Sequence, residues 1–330
     1  MRVLVAGGAG YIGSHTAKRL AEAGHHVVVY DDLSRGHRQA VESLGLPLVV
    51  ADLADRKRLL ATLREHAIDT VMHFAAYAYV GESTAQPLLY YDNNVATTVG
   101  VLQCMKEAGV GRFVFSSTCA TYGNPERVPI LEDDPQRPVS PYGWSKLMVE
   151  QILRDHLASS AAFAFASLRY FNACGCAMDG SLGEDHDPEP HLIPSALQAI
   201  LGLRPELVLF GTDYPTPDGT NVRDYIHVDD LADAHIAAMN RIAPGQGLFC
   251  NLGTGRGFSV REILAAAQRV TGKAVPVRYG ERRAGDAVSL WADPSRARAA
   301  LGWEAKHRDP EAIIASAWRW MQKHPRGYGR

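Results

Sequence analysis

The chain has 330 residues, 46% of them apolar, with 34 Lys and Arg against 36 Asp and Glu for a formal net charge of -2. That length predicts two packed regions around a sizeable core, and without a basic tract to follow a phosphate backbone no nucleic-acid partner is expected. The opening MRVLVAGGAG lacks the apolar stretch of a secretion signal, and no later run approaches the roughly 20 residues that span a bilayer, so a cytoplasmic location without membrane attachment is expected.

The first element is a β-branched-rich strand at 2–6, followed by GGAGYIGSH and a helical apolar stripe through Ala17, Leu20 and Ala21. Gly7, Gly10 and Gly13 follow a GxxGxxG spacing, and Gly8, Gly10 and Gly13 also satisfy GxGxxG. Glycines here let the backbone approach a pyrophosphate that the helix N-terminus faces with free N–H groups. A second strand, HHVVVYDD at 25–32, ends in Asp31, where a carboxylate can take ribose hydroxyls and repel a 2′-phosphate. NAD is therefore the expected cofactor, in preference to NADP.

Further strand-like runs at 47–52, 70–76, 112–118 and 165–172 alternate with helical patterns at 55–66, 92–108 and 143–158. This alternation predicts an α/β fold, a Rossmann-type doubly wound parallel sheet, with ligands at the C-terminal strand ends where Asp52, Phe74, Ala75 and Thr118 sit. In SPYGWSKLMVE, Ser140 and Pro141 open a helix that carries Tyr142 and Lys146 one turn apart on one face. A cation there favours the phenolate and turns tyrosine into a base near neutral pH.

After Asn172 the pattern breaks into ACGCAMDGSLGEDHDPEPHLIP, rich in acids and prolines. A smaller C-terminal α/β substrate domain is expected from residues 173–220 and 251–330, against a nucleotide domain of 1–172 to which about 221–250 returns. Residues 207–220 read as a strand and a turn-rich loop, 223–241 as a strand stub and a helix, and 249–270 as a plain strand, glycine turn and helix. Cys104, Cys119, Cys174, Cys176 and Cys250 are an odd set without a CxxC pair and read as reduced thiols. No metal is expected. Cys174 and Cys176 lack a nearby partner set, and the acids of DDLAD suit a helix N-terminus.

Taken together, GGAGYIGSHT, HFAAYAYVGES, YYDNNV, FSSTCATYG, SPYGWSKLMVEQIL, RYFNACG, GEDHDPEPHLIP, FGTDYPTPDGTNVRDYIHVDDLADAH, NLGTGRGFSVREI and RRAGD run nearly end to end. In this order they resemble the extended short-chain dehydrogenase/reductase family. The resemblance implies NAD-dependent epimerisation at C4 of UDP-glucose and UDP-galactose through a 4-keto sugar. It makes Tyr142 the base and acid, Lys146 its electrostatic partner and ribose anchor, and Thr118 the hydroxyl on the reacting oxygen. It places Tyr11, Ile12, Asp31, Asp32, Leu33, Ser34, Arg35, Gly36, Asp52, Leu53, Phe74, Ala75, Ala76, Tyr77, Ala78, Asn93 and Phe171 at NAD. The sugar nucleotide falls to Asn172, His191, Leu192, Phe210, Arg223, Arg283, Asp286 and Leu290. Two arginines suit a diphosphate, and Asp286 can accept from a ribose hydroxyl. A homodimer through helices such as 92–108 and 143–158 is expected by the same analogy.

Ala78 stands where many members carry lysine, so one polar cofactor contact is absent. Leu290 stands where others have tyrosine or a small residue, and it is expected to exclude an N-acetyl group at C2. A 4,6-dehydratase would need an acid pair after Thr118, where Cys119 and Ala120 stand. A UDP-pentose or UDP-uronate 4-epimerase shares the C4 chemistry and is the alternative. A catalytically silent NAD-binding regulator is disfavoured by Thr118, Tyr142 and Lys146 occurring together.

Overall fold

The computed structural model describes residues 1–283 and 285–329. Among them, seven parallel strands form a central sheet: β1 (Arg2–Ala6), β2 (His26–Asp31), β3 (Leu48–Val50), β4 (Thr70–His73), β5 (Arg112–Thr118), β6 (Ala164–Tyr170) and an edge strand, Gly247–Leu252. Across the sheet the order is Gly247–Leu252, β6, β5, β4, β1, β2, β3, so strand order reverses between β1 and β4. That reversal opens a crevice at the carboxyl ends of the strands. Val3 and Val5 of β1 pack into the apolar cluster that holds Leu231, Ala238 and Met239 of helix Val228–Arg241. Leu4 and Ala6, alternating with them, pack on the opposite face with Val101, Met105, Val149 and Leu153. With both faces covered, the strands read as unbroken apolar runs.

A second apolar cluster gathers around Trp320, where helices Leu192–Leu201, Val260–Thr271 and Pro310–Lys323 meet. Three small sheets accompany it. Asn172–Cys174 pairs with Tyr225–His227, Leu207–Phe210 pairs with Val277–Gly280, and Val222–Arg223 lies between Phe258–Ser259 and Ser289–Leu290. Between visits to this region the chain returns to the central sheet with helix Val228–Arg241 and strand Gly247–Leu252. No helix among the described residues is long and apolar enough to cross a membrane.

The single helix expected over 92–108 is two pieces, a π-helical turn Asp92–Ala96 and the α-helix Thr97–Ala108. Threonine hydroxyls accompany the change, Thr98 Oγ1 donating to the Asn94 carbonyl at 2.7 Å and Thr97 Oγ1 to the Asp92 carbonyl at 3.3 Å. The turn buries Asn94, whose amide holds the chain after β4 by accepting from Tyr77 N at 2.9 Å and donating to Tyr77 O at 3.0 Å. Such turns recur at functional sites because they re-aim one side chain within an otherwise regular helix.

Helix Pro141–Ser159 is tied to the sheet by a buried ion pair. Arg169 of β6 donates from Nε and Nη2 to the two oxygens of Glu150, at 2.8 and 2.6 Å. Ser117 at 2.7 Å and Ser167 at 3.1 Å complete the shell of Glu150 Oε1. Burial alone would raise the Glu150 carboxyl, but the Arg169 hydrogen bonds hold it below its ordinary value. Removing one ion strands the other in a dry interior, which typically costs about 3–5 kcal/mol. Glu150→Ala is therefore expected to lower unfolding stability by about that amount in urea titration, and a change within ~0.5 kcal/mol would contradict the role given to this pair.

Candidate active site

The glycine turn closes β1 onto helix Tyr11–Glu22 with no room for side chains. Gly7 has φ +77°, and a Cβ there would come within 2.4 Å of Ala75 N, while one at Gly13 would come within 2.2 Å of Gly7 O. Gly10 caps the helix without a side chain, so its first N–H groups face the crevice uncapped. At the end of β2, Asp31 accepts from Ala9 N through Oδ2 and from Leu33 N through Oδ1, both at 2.9 Å. A Cβ at Gly36 would reach Asp31 Oδ1 at 2.9 Å, so its absence leaves an open cradle beside the carboxylate. Helix terminus, cradle and acid together fit a dinucleotide with a free ribose 2′-hydroxyl.

The other residues expected at the cofactor fall into two sets. Asp32 accepts from Ser34 N and Oγ at 2.9 and 2.7 Å, Asp52 Oδ1 from Ala54 N at 2.8 Å, and Asn93 donates to Asn94 Oδ1 at 3.0 Å. Arg35 lies over the Tyr77 ring at 4.4 Å and pairs with Glu82 at 2.7 Å, flanking Ala78. Tyr11 donates its hydroxyl to Gly175 O at 2.5 Å, joining the glycine turn to the second apolar region. Ile12 and Phe74 pack into one sheet-face cluster, Leu53 and Ala75 into the other. Their side chains serve as walls.

Thr118 ends β5, and Tyr142 enters from helix Pro141–Ser159, which Ser140 caps by accepting from Gly143 N at 3.2 Å. Gly143 sets the approach: a Cβ there would meet Ala120 O at 2.6 Å, and only glycine lets the helix lie this close to the turn after Thr118. The Tyr142 phenol is pushed up to about 12 by burial, with its Thr118 hydrogen bond pulling the other way. Lys146, 2% exposed, donates to Ser116 O at 2.7 Å and is drawn down to about 7 by burial. Against the expected lowering of the phenol by Lys146, burial raises the phenol and draws the lysine toward its neutral form.

The small sheets carry the other residues expected at the sugar nucleotide. Leu290 is paired in register with Arg223 and packs with Cys119, Tyr122 and Phe171. Arg283 lies over the Phe210 ring at 4.3 Å and approaches Asp286 at 3.5 Å. Asn172 Nδ2 donates to Asp224 O at 3.0 Å. Leu192, partly buried, packs against the Trp320 cluster. His191 joins Glu184 and Glu189. Sequence reasoning missed Tyr214, whose buried hydroxyl has no hydrogen-bond partner among the described residues and which lies near Asp286, Arg223, Arg282 and Arg283. It missed Glu150 too, although Tyr142, Lys146 and Glu150 continue one four-residue spacing.

Residues 3–253 match the model of the NAD dependent epimerase/dehydratase family. The chain is 50% identical over 333 residues to the UDP-glucose 4-epimerase of Streptococcus mutans serotype c, covering 99% of both chains. It is 44% identical over 339 residues to the probable UDP-arabinose 4-epimerase 3 of Oryza sativa subsp. japonica, covering 99% of this chain and 84% of that one. The solved UDP-glucose-4-epimerase of Stenotrophomonas maltophila, with bound NAD and formylated UDP-arabinopyranose, superposes with a TM-score of 0.95 at 43% identity, covering 99% of each chain.

Lys146 makes folding pH-dependent. Its folded value near 7 lies below the ordinary 10.5, so between those values the unfolded chain binds the proton more tightly. Stability therefore rises as pH climbs from about 7 toward 10.5. Relative to Lys146→Met, the ligand-free wild-type chain is expected to gain about 2 kcal/mol between pH 7 and pH 9, read by denaturant unfolding at both. Parallel pH curves for the two proteins would show that Lys146 is charged in the fold at both.

Proposed function

The chain belongs to the NAD dependent epimerase/dehydratase family, and from that premise we propose the reaction its residues perform: reversible inversion at sugar C4 of UDP-glucose and UDP-galactose, with NAD as the resident redox group. The observation that supports this most is the meeting of Thr118, Tyr142 and Lys146 at the end of β5. Gly7, Gly10, Gly13, Asp31 and Gly36 are the residues that would hold NAD. When bound, NAD would supply a reversible hydride acceptor for sugar C4 and a positive charge of the sign that favours phenolate.

Tyr142 takes the proton of the 4-hydroxyl and later gives it back, working as base and then acid. Thr118 holds the reacting oxygen through the hydroxyl it already presents to Tyr142. Lys146 would donate to the phenolate that takes this proton, and to a ribose hydroxyl. Arg223 and Arg283 grip the diphosphate with planar, multiple N–H donors. Inversion also requires the sugar ring to turn over while its nucleotide stays fixed, and the apolar group around Leu290 suits that. Leu290, Phe171 and Cys119 offer contact without a directional hydrogen bond to favour one face. The rice relative supports a second reading, a UDP-pentose as substrate, because removing the C6 carbon leaves the C4 geometry unchanged.

Two further features complete the proposal. Residues 1–172 with about 221–250 bind the cofactor, and 173–220 with 251–330 bind the sugar nucleotide. The molecule pairs with a second copy through helices Thr97–Ala108 and Pro141–Ser159, where Val99, Leu102, Ile152 and His156 line a groove and Trp144 and Met148 are exposed. All five cysteines are unpaired, as suits a reducing cytoplasm.

Tyr142→Phe is expected to lose at least ~10²-fold in kcat for UDP-galactose while mass spectrometry still recovers one NAD per chain. Thr118→Ala should be slow and Thr118→Ser near wild type. Half-activity in Tyr142→Phe would remove it as the base. Leu290→Ser is expected to raise kcat/KM for UDP-N-acetylglucosamine and change that for UDP-galactose little, since a bulky side chain excludes a substituent by clash. Equal wild-type handling of both sugars would acquit Leu290, and a run over UDP-xylose and UDP-arabinose decides the second reading.

A further inference from the structure

Between strand Asn172–Cys174 and helix Leu192–Leu201 the chain folds four donor side chains onto one point. His191 Nδ1 lies 2.9 Å from Glu184 Oε1 and 2.8 Å from Glu189 Oε1. His186 Nδ1 lies 3.3 Å from Glu184 Oε1 and 3.4 Å from Glu189 Oε2. Among the described residues this is the group of His, Cys, Asp or Glu whose ligand atoms all fall within 4.8 Å of one another. Both carboxylates are buried, their side chains 5% and 3% exposed. Glu184 Oε1 lies in ion-pair range of both imidazoles and, among the described residues, has no hydrogen-bond partner beyond them.

We infer that Glu184, His186, Glu189 and His191 form a binding site for one divalent transition-metal ion, of the zinc type. Donors bound at about 2.0–2.2 Å to a tetrahedral zinc lie about 3.3–3.5 Å from each other, and four of the contacts here already sit at or just inside that spacing. Two imidazole nitrogens with two carboxylates select a borderline metal over magnesium or calcium, which prefer all-oxygen shells. Charge agrees. Two carboxylates and a divalent ion sum to zero with neutral imidazoles.

The surroundings hold the donors in place. All four ligands lie within eight residues, so chelation closes only a short loop. Tyr11 and Tyr79 set their rings edge-on to His186 at 5.9 and 6.2 Å. The Glu189 carbonyl accepts from Ser195 Oγ and Arg204 Nη2, each at 3.3 Å. Asp185, in the same run, is directed elsewhere, 3.4 Å from His37 Nε2. Bound metal would staple this segment at the start of the helix that His191 caps, and would leave His191 Nε2 free.

The test uses full-length untagged protein, stripped with a chelator and dialysed against zinc. One zinc per chain is expected by elemental analysis. Glu184→Gln and His186→Asn should each bind at least tenfold more weakly. Cobalt(II) on the wild-type chain, which needs no variant to fold, should give the intense visible bands of a four-coordinate ion. Substoichiometric zinc, uptake unchanged in both variants, or the weak spectrum of hexa-aqua cobalt would each overturn the site and leave the cluster an ion-pair network. None of these readouts depends on epimerase activity.

Discussion

The catalytic geometry hangs on a charge pair that no solvent reaches. Glu150 and Arg169 join helix Pro141–Ser159 to β6, and Ser117 brings β5 into the same knot one residue before Thr118. Taking two ions out of water offsets much of their attraction, so the pair adds little net stability. Its effect is positional. If the helix slides or turns, a charge is stranded in a dry interior, and Tyr142 and Lys146, two turns and one turn along the same face, are thereby held opposite Thr118. Gly143 complements this from the other end by admitting the close approach that the ion pair enforces.

That rigid half meets a softer one. The glycine turn, Asp31 and the trio on β5 and its helix are set by sheet register and by backbone contacts that tolerate no side chain. The softer half consists of two-residue strands and cation–ring contacts, with Arg283 on Phe210 and Arg282 on Tyr214 at 4.3 Å each. A reaction in which one part of the substrate stays fixed while the other turns over calls for this division. In the proposed reaction, grip would come from charge at the nucleotide end, and freedom from an apolar surface at the sugar.

Electrostatics in the cleft follow burial more than proximity. Tyr142 rises and Lys146 falls because both sit in the same dry pocket, and each is thereby nearer its neutral form. A positive charge brought into this pocket would favour the phenolate. A like logic governs the cluster around His191, where buried carboxylates draw positive charge, whether protons on imidazole or a metal ion.

Local pattern carried much of this protein. Unbroken apolar runs marked the strands of the parallel sheet, the glycine spacing marked the turn between β1 and its helix, and Ser140-Pro141 with the four-residue spacing of Tyr142 and Lys146 marked the helix that bears them. Those features are legible because each rests on neighbours within a turn or a strand. The π-helical turn at Asp92–Ala96, the Glu150–Arg169 pair, the unpartnered Tyr214 hydroxyl and the depressed Lys146 were decided by tertiary structure alone. Their partners lie on other elements, Asn94 with Tyr77 and Glu150 with Arg169, and burial, which sets the sign of a titration shift, belongs to the packed molecule. Even the run Glu184 to His191, eight consecutive residues, became a cluster of neighbouring carboxylates and imidazoles only in the folded chain, because spacing in a loop without periodicity says nothing of which side chains face one point.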